Sequence, residues 1–231
     1  MKELNMEKIY EGKTKTVYKL EDGNILLAFK DDVTGEDGKF DPGANSVGLS
    51  IEGVGNANLQ MSSYFFKLIE QKGYGTHYVS TDYGNNSMTV KPVQIFGKGI
   101  EVICRFMATG SFIRRYGSYI EEHTPLDSFV EITLKDDLNN DPTINEDALI
   151  MLSILTKQEY ETLISMTKGI SNVIKDDLTS KGMMLYDIKL EFGRDMDNNI
   201  VLIDEVSSGN MRVYFQGKTL EPFELSKKVL R

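Results

Sequence analysis

The run Asp187-Ile-Lys-Leu-Glu-Phe-Gly193 alternates ionisable and apolar side chains residue by residue. Side chains of a strand point to opposite faces in turn. Asp187, Lys189 and Glu191 therefore share one face, and Ile188, Leu190 and Phe192 anchor the other. A second apolar run, Ile200–Ile203, closes on the carboxylates Asp204 and Glu205, and Asp197-Asn198-Asn199 between the runs is a turn signature. A tight turn centred on Asp197-Asn198 predicts a hairpin with Glu191 directly opposite Asp204. Facing residues on paired strands lie about 5 Å apart at Cβ, where like charges repel. Two such carboxylates suit a divalent cation, and Mg²⁺ bridging to phosphate oxygens fits best. A solvated hairpin face would show the same pattern.

The rest of the chain narrows the choice. Its 231 residues suffice for one large domain or two lobes sharing a cleft. A formal charge of −9 argues against a broad nucleic-acid-binding surface, so a protein handling anions must concentrate its Lys and Arg locally. Cys104 is the one cysteine, which rules out an internal disulfide and favours a reducing compartment. The first eight residues lack the apolar core of a signal peptide, and no apolar stretch approaches the roughly 20 residues of a bilayer span. A cytoplasmic protein without a membrane partner is expected.

Strands are predicted at Lys8–Gly12, Thr16–Leu20 and Ile25–Lys30, the last two joined by the hairpin turn Glu21-Asp-Gly-Asn24. Residues 32–55 carry six glycines and no period, and read as a long functional loop. Leu59, Ser62, Phe66 and Ile69 form one stripe of a helix over Asn58–Lys72, stopped by Gly73. Tyr78–Ser80, Met88–Lys91, Gly99–Thr109 and Phe129–Leu134 resume strand character. Thr156-Lys-Gln-Glu159 is a capping box opening a helix of about 24 residues that Gly182 ends. Strands, helix, strands, helix and hairpin in that order predict an α+β fold with mostly antiparallel sheets.

Other motifs are weaker. Gly12-Lys-Thr-Lys15 is no P-loop, because residue 7 is Glu and a strand follows, yet a glycine turn with two lysines can cover phosphates. Asp195–Asn199 begins like a calcium loop but fails at Ile200 and Val206. Arg105 faces away from the apolar side of its strand, and Gly110-Ser111 then opens a short helical run with free N–H donors. Arg105 and Ser111 are thus candidate anion contacts. His77 and His123 lie in unrelated contexts and support neither a metal cluster nor a catalytic triad. Cys104 reads as a core residue.

Taken together, Tyr10–Tyr18, Arg105 with Ala108-Thr-Gly-Ser111, Asp187–Gly193, and Asp204-Glu205 with Arg212 are similar, in order and spacing, to the SAICAR synthetases (phosphoribosylaminoimidazole-succinocarboxamide synthases) of purine biosynthesis. The likeness runs over roughly residues 8–214, and Asp187–Gly193 is its most specific segment. It implies a two-lobed fold, 1–95 and 96–231, with a kinase-like N-terminal lobe and ATP in the cleft. It implies an ATP-dependent ligase joining L-aspartate to carboxyaminoimidazole ribonucleotide, working as a homodimer. By the same resemblance, Gly12, Lys13 and Lys15 lie over the ATP phosphates and the Val90-Lys91 segment borders the adenine. Glu191 and Asp204 hold Mg²⁺. Asp37, Arg105, Ser111 and Arg212 contact the ribonucleotide, and Lys189 and Asp187 serve the chemistry. Two departures stand out: Met107 replaces a frequent second Arg, and Val213-Tyr214 replaces Trp-Asp after Arg212. A small-metabolite kinase and a non-catalytic nucleotide-binding homologue are the competing readings.

Overall fold

The computed structural model describes residues 6–231 except Asp37 and Asn45, and at Glu36 the backbone alone. The predicted contact at Asp37 therefore lies outside the described residues.

Strands β1 (Met6–Glu11), β2 (Lys15–Leu20) and β3 (Ile25–Phe29) form a meander. The Glu21–Asn24 turn sets its second half, with Lys19 opposite Ile25 and Lys15 opposite Phe29. The expected loop at 32–55 is instead a small antiparallel sheet of β4 (Asp32–Glu36), β5 (Lys39–Phe40) and β6 (Val47–Ser50). It shows no hydrophobic alternation because glycine contact, not a buried side-chain face, brings its backbones together. A Cβ on Gly48 would lie 2.6 Å from the backbone of Gly35.

Helix α1 (Val54–Gln71) begins four residues earlier than its apolar stripe suggests. The reason is not local: Asp31, from before β4, accepts the N–H groups of Gly53 and Gly55, both at 2.9 Å. Leu59, Ser62, Phe66 and Ile69 are fully buried, as the stripe requires. Strands β7 (Tyr78–Asp82) and β8 (Ser87–Val90) complete a five-stranded sheet in the order β1-β2-β3-β8-β7.

After the short β9 (Gln94–Ile95) comes β10 (Ile100–Met107), then α2 (Ser111–Tyr116), β11 (Pro125–Leu134), β12 (Thr143–Ile144) and α3 (Glu146–Met151). Helix α4 (Lys157–Ser180) has the predicted capping box, with the Thr156 side chain accepting from the Glu159 N–H and Glu159 returning the bond. Its stripe Leu163, Thr167, Ile170, Ile174 and Leu178 is buried. The chain ends in β13 (Met184–Arg194), β14 (Ile200–Ile203), β15 (Met211–Phe215), β16 (Lys218–Thr219) and α5 (Pro222–Val229). These strands build a second antiparallel sheet around β12-β11-β10-β13-β15-β16, with β14 and β9 added along β13.

The architecture is thus the expected α+β fold of antiparallel sheets and packed helices. One hydrophobic core runs through both large sheets, from Leu27 and Met88 to Cys104, Leu190 and Val213. An isolated parallel bridge, Thr76 to Leu202, also joins them. No helix among the described residues is long and apolar enough to cross a membrane.

Candidate active site

Strand β13 carries the site. Ile188, Leu190 and Phe192 are buried in the core, as the alternation demands. Asp187 and Lys189 face a cavity of about 510 Å³ that Arg105, Ser111, Arg114 and Arg212 also line, with Asp41–Ala44 from the small sheet closing one side.

At the Asp187 end the groups are locked together. Arg105 lies opposite Asp187 across β10 and β13 and is 1% exposed. Its Nη1 donates to Asp187 at 2.7 Å, its Nε to Glu131 at 2.8 Å and its Nη2 to the Ser111 hydroxyl at 2.8 Å. Arg212, opposite Asp187 on the other side, donates to the same Asp187 Oδ2 at 2.8 Å and to Asp41 at 2.8 Å. Burial opposes the Arg212 charge, but Asp187 and Asp41 outweigh it and raise its pKa. Arg115 also reaches Glu131, while Arg114 at the rim is exposed.

The Glu191 end is held by ammonium groups. Here the predicted register needs correction: Glu191 faces Ile203, not Asp204. The turn spans Asp195–Asn199 and closes with the Asp195 N–H donating to the Asn199 carbonyl at 3.0 Å. The Asp195 carboxylate accepts the N–H groups of Asp197 and Asn199, which shifts the pairing by one residue from a turn centred on Asp197-Asn198. Asp204 sits just beyond β14 in a left-handed backbone, φ 65°. A regular strand would carry residue 204 to the face opposite residue 203. In this conformation its carboxylate still acts on Glu191, whose pKa is raised by burial first and by Asp204 second, against the pull of Lys135.

Asp204 is half-buried, and the loss of solvent by itself favours its neutral form. Lys15 and Lys135 overcome this and hold it down at about 2. Lys15 Nζ lies 3.0 Å from Asp204 and also pairs with Glu205. Burial lowers the Lys15 pKa, but the two carboxylates reverse the effect and raise it. Lys135 donates to Glu191 at 2.8 Å, and Lys189 donates to Glu101 at 2.7 Å. Among the described residues no three His, Cys, Asp or Glu side chains gather as a metal cage. A pair of carboxylates is the donor set Mg²⁺ uses when phosphates supply other ligands, so Glu191 and Asp204 fit a metal–nucleotide complex rather than a naked ion.

The glycine turn approaches this end from the first sheet. Lys13 pairs with Asp137, just after β11, at 2.8 Å. The Gly12 N–H donates to the Lys15 carbonyl at 2.8 Å, which folds the turn and sends Lys15 inward. Lys91 is exposed just past β8, its N–H bonded to the His77 carbonyl at 2.7 Å.

Sequence reasoning missed Asp41, Glu101, Glu131 and Lys135. Glu101 had a signal, the same strand parity as Arg105. Glu131 and Lys135 enter through the β10–β11 pairing, and Asp41 has no sequence signal. Cys104 is a core residue as read, its thiol pushed up to about 11 by burial.

Antiparallel sheets presenting a lysine-flanked carboxylate pair beside an arginine-lined cavity define a protein that handles phosphates and carboxylates. The SAICAR synthetase family profile matches residues 8–231. A phosphoribosylaminoimidazole-succinocarboxamide synthase of Clostridium tetani (strain Massachusetts / E88) is 56% identical, covering 97% of this chain and 100% of its own. One of Sulfolobus acidocaldarius is 38% identical over 90% of this chain and 83% of its own. A solved SAICAR synthetase (type 2) in complex with ADP has a TM-score of 0.84 at 29% identity, with 96% of each chain covered. The chain belongs to the SAICAR synthetase family. It is therefore an ATP-dependent ligase of purine biosynthesis, and neither the kinase reading nor the non-catalytic one is favoured.

Proposed function

We propose that β13 divides the ligase reaction between its two ends. The carboxylate pair Glu191 and Asp204 holds Mg²⁺ with the ATP phosphates, beneath the turn that carries Gly12, Lys13 and Lys15. The cavity at the Asp187 end takes carboxyaminoimidazole ribonucleotide. Its phosphate and carboxylate meet Arg212, Ser111 and the Arg105 face, while Lys91 borders the adenine of ATP. The carrying observation is that one strand face bears both charge systems, Asp187 between two guanidiniums and Glu191 beside ammoniums.

The chemistry needs this arrangement. A carboxylate is a poor electrophile until activated. Transfer of the γ-phosphoryl group gives an acyl phosphate, with ADP leaving, and the aspartate amine then displaces phosphate to form the amide. Phosphoryl transfer between anions depends on positioning and charge neutralisation more than on a protein nucleophile. When bound, the metal would neutralise the phosphate oxygens. Lys13 and Lys15 neutralise charge from the turn side and Lys189 from the cavity side. Asp187 fixes the two guanidiniums at the angle the substrate meets.

The working form is proposed to be a cytoplasmic homodimer of two-lobed protomers, 1–95 and 96–231, the first lobe kinase-like. ADP release should depend on L-aspartate when ATP, Mg²⁺ and carboxyaminoimidazole ribonucleotide are present. Release indifferent to aspartate would overturn the ligase assignment for this chain, and light scattering after size exclusion tests the dimer.

A further inference from the structure

We propose that Lys135 is a positioning residue that makes metal binding wait for the nucleotide, an inference that rests on the reading of Glu191 and Asp204 as the metal pair. Lys135 follows the last residue of β11, and its ammonium is 2.8 Å from Glu191. Its stem is seated, not draped: it runs over Gly99, where a Cβ would come within 2.8 Å of the Lys135 Cδ. Its backbone N–H donates to the Gly99 carbonyl at 3.1 Å, and its neighbour Asp137 pairs with Lys13 of the glycine turn.

This places a cation where a divalent metal must go. A metal that takes Glu191 has to displace the ammonium from its ion pair, and turning to water, which its 43% exposure allows, does not replace that pair. Lys189 and Lys15 already hold Glu101, Glu205 and Asp204, so neither leaves a carboxylate free for it. The phosphates of a nucleotide, arriving beneath the Lys13 turn, supply that partner. The charge sits at the end of a flexible stem, so it can exchange a carboxylate for a phosphate. Metal and nucleotide then bind with a mutual coupling, and Lys135 carries much of it.

The test is Mn²⁺ binding followed by electron paramagnetic resonance, with and without ADP, on the full chain. Lys135→Met should bind Mn²⁺ alone at least threefold more tightly than the parent. The enhancement that ADP gives should shrink at least threefold, whereas Lys135→Arg, which keeps the charge, should stay near the parent in both. Lys135→Gln repeats the charge removal should the Met variant fold poorly. Unchanged or weaker Mn²⁺ binding by the charge-removed variants, or an unchanged ADP enhancement, overturns the proposal. So does a Lys135→Arg variant that behaves like Lys135→Met, because packing and not charge would then be the cause. Glu191→Gln separates the two ideas. If it loses Mn²⁺ while Lys135→Met is silent, only the role of Lys135 falls. If it binds Mn²⁺ like the parent, the metal pair falls and takes this proposal with it.

Discussion

The two ends of β13 carry similar charges and treat them differently. At the Asp187 end, Arg105 is 2% exposed at its side chain and the carboxylate it shares with Arg212 is 5% exposed. At the Glu191 end, Lys135 is 43% exposed against 13% for its carboxylate. Guanidinium forks have a fixed donor geometry, and the one on Arg105 is almost wholly shielded from water. The Lys135 ammonium can turn to solvent or to another anion. The first end is therefore built as a rigid wall and the second as an exchangeable site. A carboxylate's place in the sequence alternation does not reveal which it belongs to.

Neutralising one carboxylate at each end tests this contrast. If Glu191 is the metal ligand proposed above, Glu191→Gln should lower kcat/KM at least about a thousandfold. Its melting temperature should hold within a few degrees, because Lys135 can reach water. A steady-state assay beside thermal melting reads both. A large loss of stability with activity retained would show Glu191 to be structural. Asp187→Asn should do the reverse in stability. It leaves Arg105 buried with one partner fewer, and breaking a buried pair costs about 3–5 kcal/mol. Urea unfolding measures it, and a cost under about 1 kcal/mol would mean that the wall is not rigid.

A smaller effect concerns His77, which supports the exchangeable end from behind. It is 4% exposed, packs on Phe66 and contacts the Asp204 backbone, and burial lowers its pKa to about 4 despite Asp204. The unfolded chain binds the proton more readily, at the ordinary value of 6.5. Stability is thus fully present above pH 6.5 and falls as the pH drops toward 4. The shift corresponds to a loss of about 3 kcal/mol. His77→Gln should flatten this slope in melting curves taken between pH 7 and pH 4.5. A slope equal to the parent's would assign the acid sensitivity to other groups.

Much of this is legible in the sequence, for identifiable reasons. The face of β13, the Thr156 capping box and the buried stripes of α1 and α4 all follow from periodicity, which records how a local element meets its core. The small sheet at residues 32–50 was illegible because glycine contacts leave no hydrophobic pattern. The hairpin register differs by one residue from the sequence expectation because the Asp195 carboxylate ties two N–H groups into a longer turn. Lys135 and Asp41 were missed because their partners lie 56 and 171 residues away.

The chain by itself determined which side chains line one face of one strand, and with them the family and the reaction class. Such information is local, carried by alternation and by short motifs. Only the tertiary structure decided which charges neutralise which. It set two arginines on Asp187 and an exchangeable lysine on Glu191, and it turned Asp204 back toward the site through a left-handed backbone. Electrostatic partnership depends on distance and burial, and both arise only when separate strands are brought together.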